Sequence, residues 1–450
     1  MFRKVIGTIG TRLINAVLAF VIWTLNANFL GPEEVGTIFL LIFSVTIIQL
    51  FTNFLGGAAF IYLTPRTGIY KLFIPAYIWT VLVTLISAYL LDFMAQLFPV
   101  LEVIPAGYFW EVLFLALIMA LSSVNFMLLL GLEKVKFYNY INLAQISLLF
   151  IILVFCLFGL RYFDVMAYYW SIFISYCVAF VISLLLLWPS FVRVPLTGMK
   201  ALLIEILRFG TYVQFANIFQ TLNYRLSLKF VDYFVGRAAV GVLSIALTLA
   251  EGVWLISRSI SMVQYSRLSN EMNYDYSVRL TLTFAKITWV VTGMAMLVLL
   301  AIPKFVFAAI FSASFGDVKM VILSLSVGIV TLSVSMIFSG FFSSINKPFH
   351  NTISSAIGLV FTVIFGLLLI PRYGITGAGI AATISYTFAT LYQFVIFSRM
   401  TKLTARDFLL TKAEIGMLYG EIVKLGTRDT GRGTLDTGRG TRDAGHGTKT

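Results

Sequence analysis

Between residues 10 and 398 the chain is a succession of apolar stretches, each about 20 residues or longer, with short polar turns between them. In lipid, every backbone N–H and C=O must find its partner inside the protein, so stretches of this length form helices. A bilayer core takes roughly 20 apolar residues per helix. On that criterion twelve spans are expected: 10–30, 36–63, 72–94, 109–131, 139–160, 164–188, 203–229, 238–265, 280–302, 318–345, 351–371 and 375–398. The expected fold class is all-α: a polytopic membrane protein with twelve transmembrane helices. Only 11% of residues are charged, against about 25% in soluble domains.

The spans form two related sets. Phe29-Leu30-Gly31-Pro32-Glu33-Glu34-Val35-Gly36 returns as Phe234-Val235-Gly236-Arg237-Ala238-Ala239-Val240-Gly241. Phe137-Tyr138-Asn139 returns as Phe349-His350-Asn351, and Arg161-Tyr162 with Ile174-Ser175-Tyr176 returns as Arg372-Tyr373 with Ile384-Ser385-Tyr386. Three ordered pairs at offsets of 205 to 212 map the first six spans onto the last six. Six being even, the sets share one orientation, giving two six-helix pseudo-symmetric lobes. The expected domains are an N-terminal lobe over 1–200, a C-terminal lobe over 201–400 and a cytoplasmic tail over 401–450.

Lys and Arg set the expected orientation. One side collects Arg3, Lys4, Arg12, Arg66, Lys71, Lys134, Lys136, Arg193, Lys200, Arg208, Arg267, Arg279 and Lys347, while the other holds Arg161, Arg237, Lys304 and Arg372 among Glu33, Glu34, Glu102, Asp164, Asp232 and Asp317. The basic side is cytoplasmic by the positive-inside rule, and both termini lie there. The formal charge of +13 therefore reads as loop bias, and no basic soluble face exists for a nucleic acid. Met1-Phe2-Arg3-Lys4 leads into a full-length span with no small-residue cleavage site, so no cleavable signal peptide is expected. Cys156 and Cys177 sit in apolar runs, and His350 and His446 are the sole histidines. Neither a metal site nor a His-based catalytic centre is expected.

Residues 399–425 suit a short amphipathic helix. Beyond them a seven-residue unit repeats from Thr427 to Gly447 without the apolar residues a core requires, so disorder is expected from about 427. Deleting 427–450 should leave activity intact.

Polar residues at membrane depth are costly and face cavities or partners. In the seventh span, Gln214, Asn217, Thr221 and Arg225 fall on one helical face. Ser244, Thr248, Glu251 and Arg258 do so in the eighth; Arg12, Asn15 and Asn26 mark the first, and Gln49 and Asn53 the second. A polar pathway lined by spans one, two, seven and eight follows.

The first turn, Phe29 to Gly36, resembles the LGPEEYG signature of polysaccharide-exporting flippases. Leu222-Asn223-Tyr224-Arg225 through Val240-Gly241-Val242-Leu243-Ser244-Ile245-Ala246 resembles their seventh and eighth helices, and Ile370 through Ala381 the turn between their last two. The resemblance covers about residues 1 to 400, with twelve helices as in that family. It is to the multidrug/oligosaccharidyl-lipid/polysaccharide (MOP) exporter superfamily, and within it to Wzx-type oligosaccharide flippases. Where that family often carries an acid after the Arg of helix seven, this chain has Ser227 two residues on.

The resemblance implies a transporter and not an enzyme, moving a polyprenyl-diphosphate-linked oligosaccharide from the cytoplasmic to the outer leaflet of a bacterial inner membrane by alternating access. Polysaccharide polymerases and glycosyltransferases of O-antigen or polysaccharide assembly are the implied partners. No cofactor is implied, with a proton or sodium ion as the coupling ion. Arg225 then suits the diphosphate through its planar donor fork, with Arg12 and Arg258 as further cations. Asn26, Gln214 and Asn217 suit sugar hydroxyls, and Glu251 is the candidate coupling group. Two readings compete. A cation-coupled multidrug extruder of the same superfamily would carry a buried acid in its N-terminal lobe, whereas Asp92 and Glu111 fall near span ends. A membrane enzyme of polysaccharide assembly would carry a long outer loop or a buried His.

Overall fold

The computed structural model describes residues 2–55, 58–97, 102–191, 199–268, 273–403 and 407. Among these residues there is no strand. The first set of helices is α1 (Phe2–Phe29), α2 (Gly31–Thr52), α3 (Ala58–Thr67), α4 (Ile69–Leu97), α5 (Phe109–Gly131), α6 (Val135–Val154) and α7 (Val165–Leu187). The second is α8 (Met199–Phe234), α9 (Arg237–Leu268), α10 (Tyr274–Ala301), α11 (Lys304–Phe311), α12 (Val318–Ser344) and α13 (Phe349–Thr401). The all-α membrane fold is as expected from the apolar spans.

Three departures are informative. The second span is interrupted: α2 stops at Thr52, a single 3-10 turn covers Asn53–Leu55, and α3 begins at Ala58. Stopping α2 frees carbonyls that would otherwise be capped within the helix. The Gln214 amide donates to the Leu50 carbonyl at 2.8 Å and the Trp79 indole to that of Thr52 at 3.0 Å. The eleventh and twelfth spans run together as α13, broken at Gly374 (φ 57°, ψ −136°) just after Pro371. An additional short helix, α11, fills the connection from α10 to α12.

Nine helices among the described residues are long and apolar enough to cross a membrane. α13 is counted once there although it holds two spans, and the apolar part of α1 is the shorter Ile14–Phe29. α8, with its polar face, is not among the nine.

α2 sits between the two sets of helices. Its Ile38, Leu41, Val45 and Ile48, one helical stripe, join Val112, Leu113 and Tyr168 of α5 and α7. Val35, Phe39 and Leu40 join Val240 and Leu243 of α9 and Ile322 and Leu325 of α12. Lipid tails are as apolar as leucine, so such contacts in a bilayer are held by close packing more than by escape from water.

The repeated motif is explained by its glycines. Gly31 and Gly236 occupy equivalent turn positions with φ of 83° and 114°, a region a side chain disfavours. Five residues later, Gly36 and Gly241 lie at the α2–α9 crossing. A Cβ on Gly36 would collide with the Arg237 carbonyl, and one on Gly241 with the Pro32 carbonyl. Because Pro32 and Arg237 are themselves equivalent, the contact is reciprocal, as at a two-fold axis.

Candidate functional site

α8 and α9 bring Arg225 and Glu251 together. Arg225 Nη2 donates to Glu251 Oε2 at 3.0 Å, with side-chain exposures of 33% and 19%. Arg225 lies about 14 Å along α8 from its Phe234 end, at 1.5 Å per residue, so the pair sits well inside the helical layer. An isolated charge there is expensive, and pairing lowers that cost. The pairing is not complete: Glu251 Oε1 is buried and accepts no hydrogen bond among the described residues.

Three aromatic side chains wall the pair. Tyr224, Trp254 and Tyr386, from α8, α9 and α13, make a triangle with ring centroids 5.4, 5.7 and 5.9 Å apart. Trp254 is anchored by its indole N–H on the Ile329 carbonyl at 3.3 Å, and the Tyr224 hydroxyl accepts from Gln220 at 3.3 Å. Tyr386 feels the charges of both Glu251 and Arg225, and Tyr224 those of Arg258 and Glu251. The arrangement is an arginine paired with a carboxylate, its side chain one-third exposed, in the same part of the helical layer as three packed rings.

The remaining expected residues divide. Asn217 is exposed and donates to the Gln214 side-chain oxygen at 3.3 Å. Gln214 is buried and bridges to α2 through Leu50. Asn26 is fully buried, and both amide atoms lack partners among the described residues. Arg258 is exposed on α9. The Arg12 side chain lies outside the described residues, as do that of Arg208 and those of the tail other than 401–403 and 407. Lys229, near the Phe234 end of α8, bonds Asp232 at 2.9 Å. Lys286 is 7% exposed on the packed face of α10.

One cluster went unnoticed in the sequence. Asn223 Oδ1 accepts from Thr362 and Ser385, each at 2.7 Å, and Ser385 also reaches the Gly358 carbonyl at 2.7 Å. A Cβ at Gly358 would collide with the Asn223 amide. This polar pin ties α8 to both segments of α13. The repeated Ile-Ser-Tyr was the available signal: Ser385 and Tyr386 are its second copy. In the first copy, Ser175 accepts from Gln145 of α6 at 3.0 Å. A separate pin in the first set runs from Tyr77 through Asn125 to Ser183, at 2.6 and 2.9 Å.

At the end carrying the α1–α2 and α8–α9 turns, Glu34 has Asp164, Glu33 and Arg237 as charged neighbours. Tyr108, in the connection before α5, has its pKa raised, first by burial and then by the charges of Asp164 and Glu34. Here too the first-half acids face a second-half cation.

No protein-family model matches the chain. An uncharacterized membrane protein of Methanocaldococcus jannaschii is 24% identical over 239 residues, 52% of this chain and 46% of that protein; the chain thus spans about half the length of the curated relative it matches. Among solved structures, the lipid II flippase MurJ in an inward closed conformation superposes with a TM-score of 0.73 at 14% identity, covering 93% of this chain and 92% of that one. An inward-facing multidrug resistance MATE transporter of the MOP superfamily gives 0.63 at 16%, covering 87% and 96%. A point mutant of the Vibrio cholerae MATE transporter VcmN gives 0.63 at 12%, covering 90% and 98%. At such identities the likeness is one of fold: the chain has the helical architecture of MOP-superfamily transporters, shared by a lipid flippase and by multidrug extruders.

Proposed function

We propose that this protein flips a polyprenyl-diphosphate-linked oligosaccharide from the cytoplasmic to the outer leaflet of a bacterial inner membrane, for polysaccharide or O-antigen assembly. The observation that carries the reading is Arg225, a guanidinium deep in the helical layer, one-third exposed and held by a carboxylate that an anion can replace. The diphosphate takes its planar donors; Arg258 and Arg12 guide the same charge. The exposed Asn217 contacts sugar hydroxyls, joined by Gln214 and Asn26 as α8 and α2 part. Glu251 is the coupling group. Lobes 1–200 and 201–400 alternate around this site with both termini cytoplasmic, and glycosyltransferases and a polymerase act before and after it.

The MATE neighbours favour a second reading, a cation-coupled multidrug extruder on the same fold. Against it, no Asp or Glu among the described residues of α1–α7 is buried, so that half offers an organic cation no buried carboxylate. Proteoliposomes separate the two. Flipping of a fluorescent polyprenyl-diphosphate oligosaccharide, above empty vesicles and sharply reduced in Arg225→Ala, is the expected result. Flipping that ignores the substitution removes Arg225 from the site. Transport of cationic dyes with no flipping replaces the proposal by drug extrusion.

A further inference from the structure

Outward of Arg225, the seam between α8 and α9 holds a second buried cation. We infer that Lys229, with Asp232 and Ser244, forms a second anion site one turn beyond Arg225, to which the diphosphate passes when the α2–α9 crossing opens. The inference rests on the reading of Arg225 as the diphosphate ligand.

The register of the seam is fixed at both ends. α8 and α9 are joined by Val235 and Gly236 alone, so they run antiparallel from that turn. Further in, Arg225 bonds Glu251, and the Tyr224 and Trp254 rings lie 5.4 Å apart. Between these points Lys229 and Asp232 are level with the part of α9 from Val240 to Leu247, which holds Ser244. Asp232 lies seven residues beyond Arg225, and Ser244 seven residues before Glu251. Seven residues make nearly two full turns. Asp232 therefore stands on the stripe of α8 that meets α9, and Ser244 on the stripe of α9 that meets α8.

Packing alone does not account for this outer group. Lys229 Nζ bonds Asp232 Oδ2 at 2.9 Å, with side-chain exposures of 9% and 17%. A lysine near a helix end normally extends its ammonium to the headgroups; this one is turned inward and buried. A buried ion pair holds helices no better than apolar residues of the same volume. Ser244 is fully buried, and its Oγ makes no hydrogen bond among the described residues. Thr248, one turn inward on the same stripe, shows the usual arrangement and donates to the Ser244 carbonyl at 2.8 Å. An ammonium and an unused hydroxyl on facing helices together offer a phosphate its donors.

The two sites differ in access. Arg225 is one-third exposed, whereas Lys229 and Ser244 are covered. Ser244 lies three residues inward of Gly241, whose contact with Gly36 closes α2 on α9. Parting that contact uncovers the outer group. Lys229 is four residues beyond Arg225, about 6 Å along the axis at 1.5 Å per residue, a step within reach of two long side chains. Each cation also keeps a carboxylate of its own, Glu251 for Arg225 and Asp232 for Lys229. The carboxylate returns as the anion leaves, so neither site traps the cargo. Once Arg225 is paired again with Glu251, it no longer draws the anion back.

The test measures binding and flipping separately on the full-length protein. Binding is calorimetric titration of farnesyl diphosphate into protein in nanodiscs; flipping uses the fluorescent polyprenyl-diphosphate oligosaccharide in proteoliposomes. Ser244→Ala removes no side-chain hydrogen bond, so its thermal stability and its affinity are expected to match wild type. Its flipping is expected to fall about fivefold, the worth of one hydrogen bond to a charged group. Lys229→Met combined with Asp232→Asn strands no charge; it is expected to keep its affinity and to lose flipping by at least about tenfold. Lys229→Arg, which keeps the cation, is expected to flip. Should the double variant fail to fold, Ser244→Ala alone decides. Wild-type flipping in Ser244→Ala overturns the outer site and leaves Arg225 standing. Affinity that falls in step with flipping does the same, since the group would then serve the first site. Absence of binding by wild type, or binding that survives Arg225→Ala unchanged, removes the first site and the inference with it.

Discussion

Gly36 and Gly241 face each other across the α2–α9 crossing, the Cβ position of each 3.1 Å from the backbone nitrogen of the other and blocked by a carbonyl of the facing helix. The same two residues end the two copies of the repeated motif. The likeness between the copies is thus the trace of a contact each copy makes with the other.

A methyl at either glycine must push backbone away from backbone. Gly36→Ala or Gly241→Ala is expected to disfavour the closed crossing by about 1–3 kcal/mol, the usual cost of overpacking. Spin labels on the exposed Glu33 and Ala238 positions would report it as a shift to longer distances in either variant. An unchanged distance distribution would show that the crossing relaxes without parting.

Much of this architecture was legible because lipid leaves few choices. A 20-residue apolar run in lipid has to be a helix. What escaped were features decided by neighbours. The stop of α2 at Thr52 depends on Gln214 and Trp79 being near enough to satisfy its last carbonyls. Arg225 was visible on a polar face, yet whether Glu251 served Arg225 or Arg258 could not be read, since Glu251 and Arg258 lie two turns apart on one stripe of α9. Asn223 was passed over because it lies off the Gln214–Arg225 face. It turns instead toward α13, whose Thr362 and Ser385 are distant in sequence.

The Arg225–Glu251 pair can be separated into structural and transport roles by inverting it. Arg225→Ala and Glu251→Ala each strand a charge and should lower thermal stability in detergent. The double inversion, Arg225→Glu with Glu251→Arg, restores a pair and should recover stability. Transport should stay at least about tenfold down, because the anion's fork now hangs from α9 and points elsewhere. Recovery of transport along with stability would mean that the pair serves packing alone.

Asn223 joins three helical segments through one oxygen. Interhelical hydrogen bonds in membranes average about 0.6 kcal/mol and reach about 2 kcal/mol, so Asn223→Ala, losing two, is expected to cost about 1–3 kcal/mol. Thr362→Ala and Ser385→Ala should each cost less. Their double substitution should match Asn223→Ala, being coupled through the shared acceptor. Thermal unfolding of purified protein checks this series; strict additivity of all three would break the shared-oxygen account.

Gln214 also links the two sets of helices, and its role differs from that of a free ligand. Its amide bonds the Leu50 carbonyl where α2 ends, and a T-shaped contact of Phe54 with Phe215 at 5.9 Å lies beside it. Gln214→Ala leaves a carbonyl without a donor, which water can reach only if α8 and the Asn53–Leu55 turn separate. A cysteine at Asn53 should therefore react several-fold faster with a membrane-impermeant thiol reagent in the Gln214→Ala background than with Gln214 present, on the double-substitution background that replaces Cys156 and Cys177. Gln214→Glu in its ionised form lacks the N–H and should behave like the alanine variant, whereas Gln214→Asn, which keeps the donor on a shorter arm, should fall between. Equal reactivity across the series would show that the hydrogen bond does not hold this end of α2 against α8.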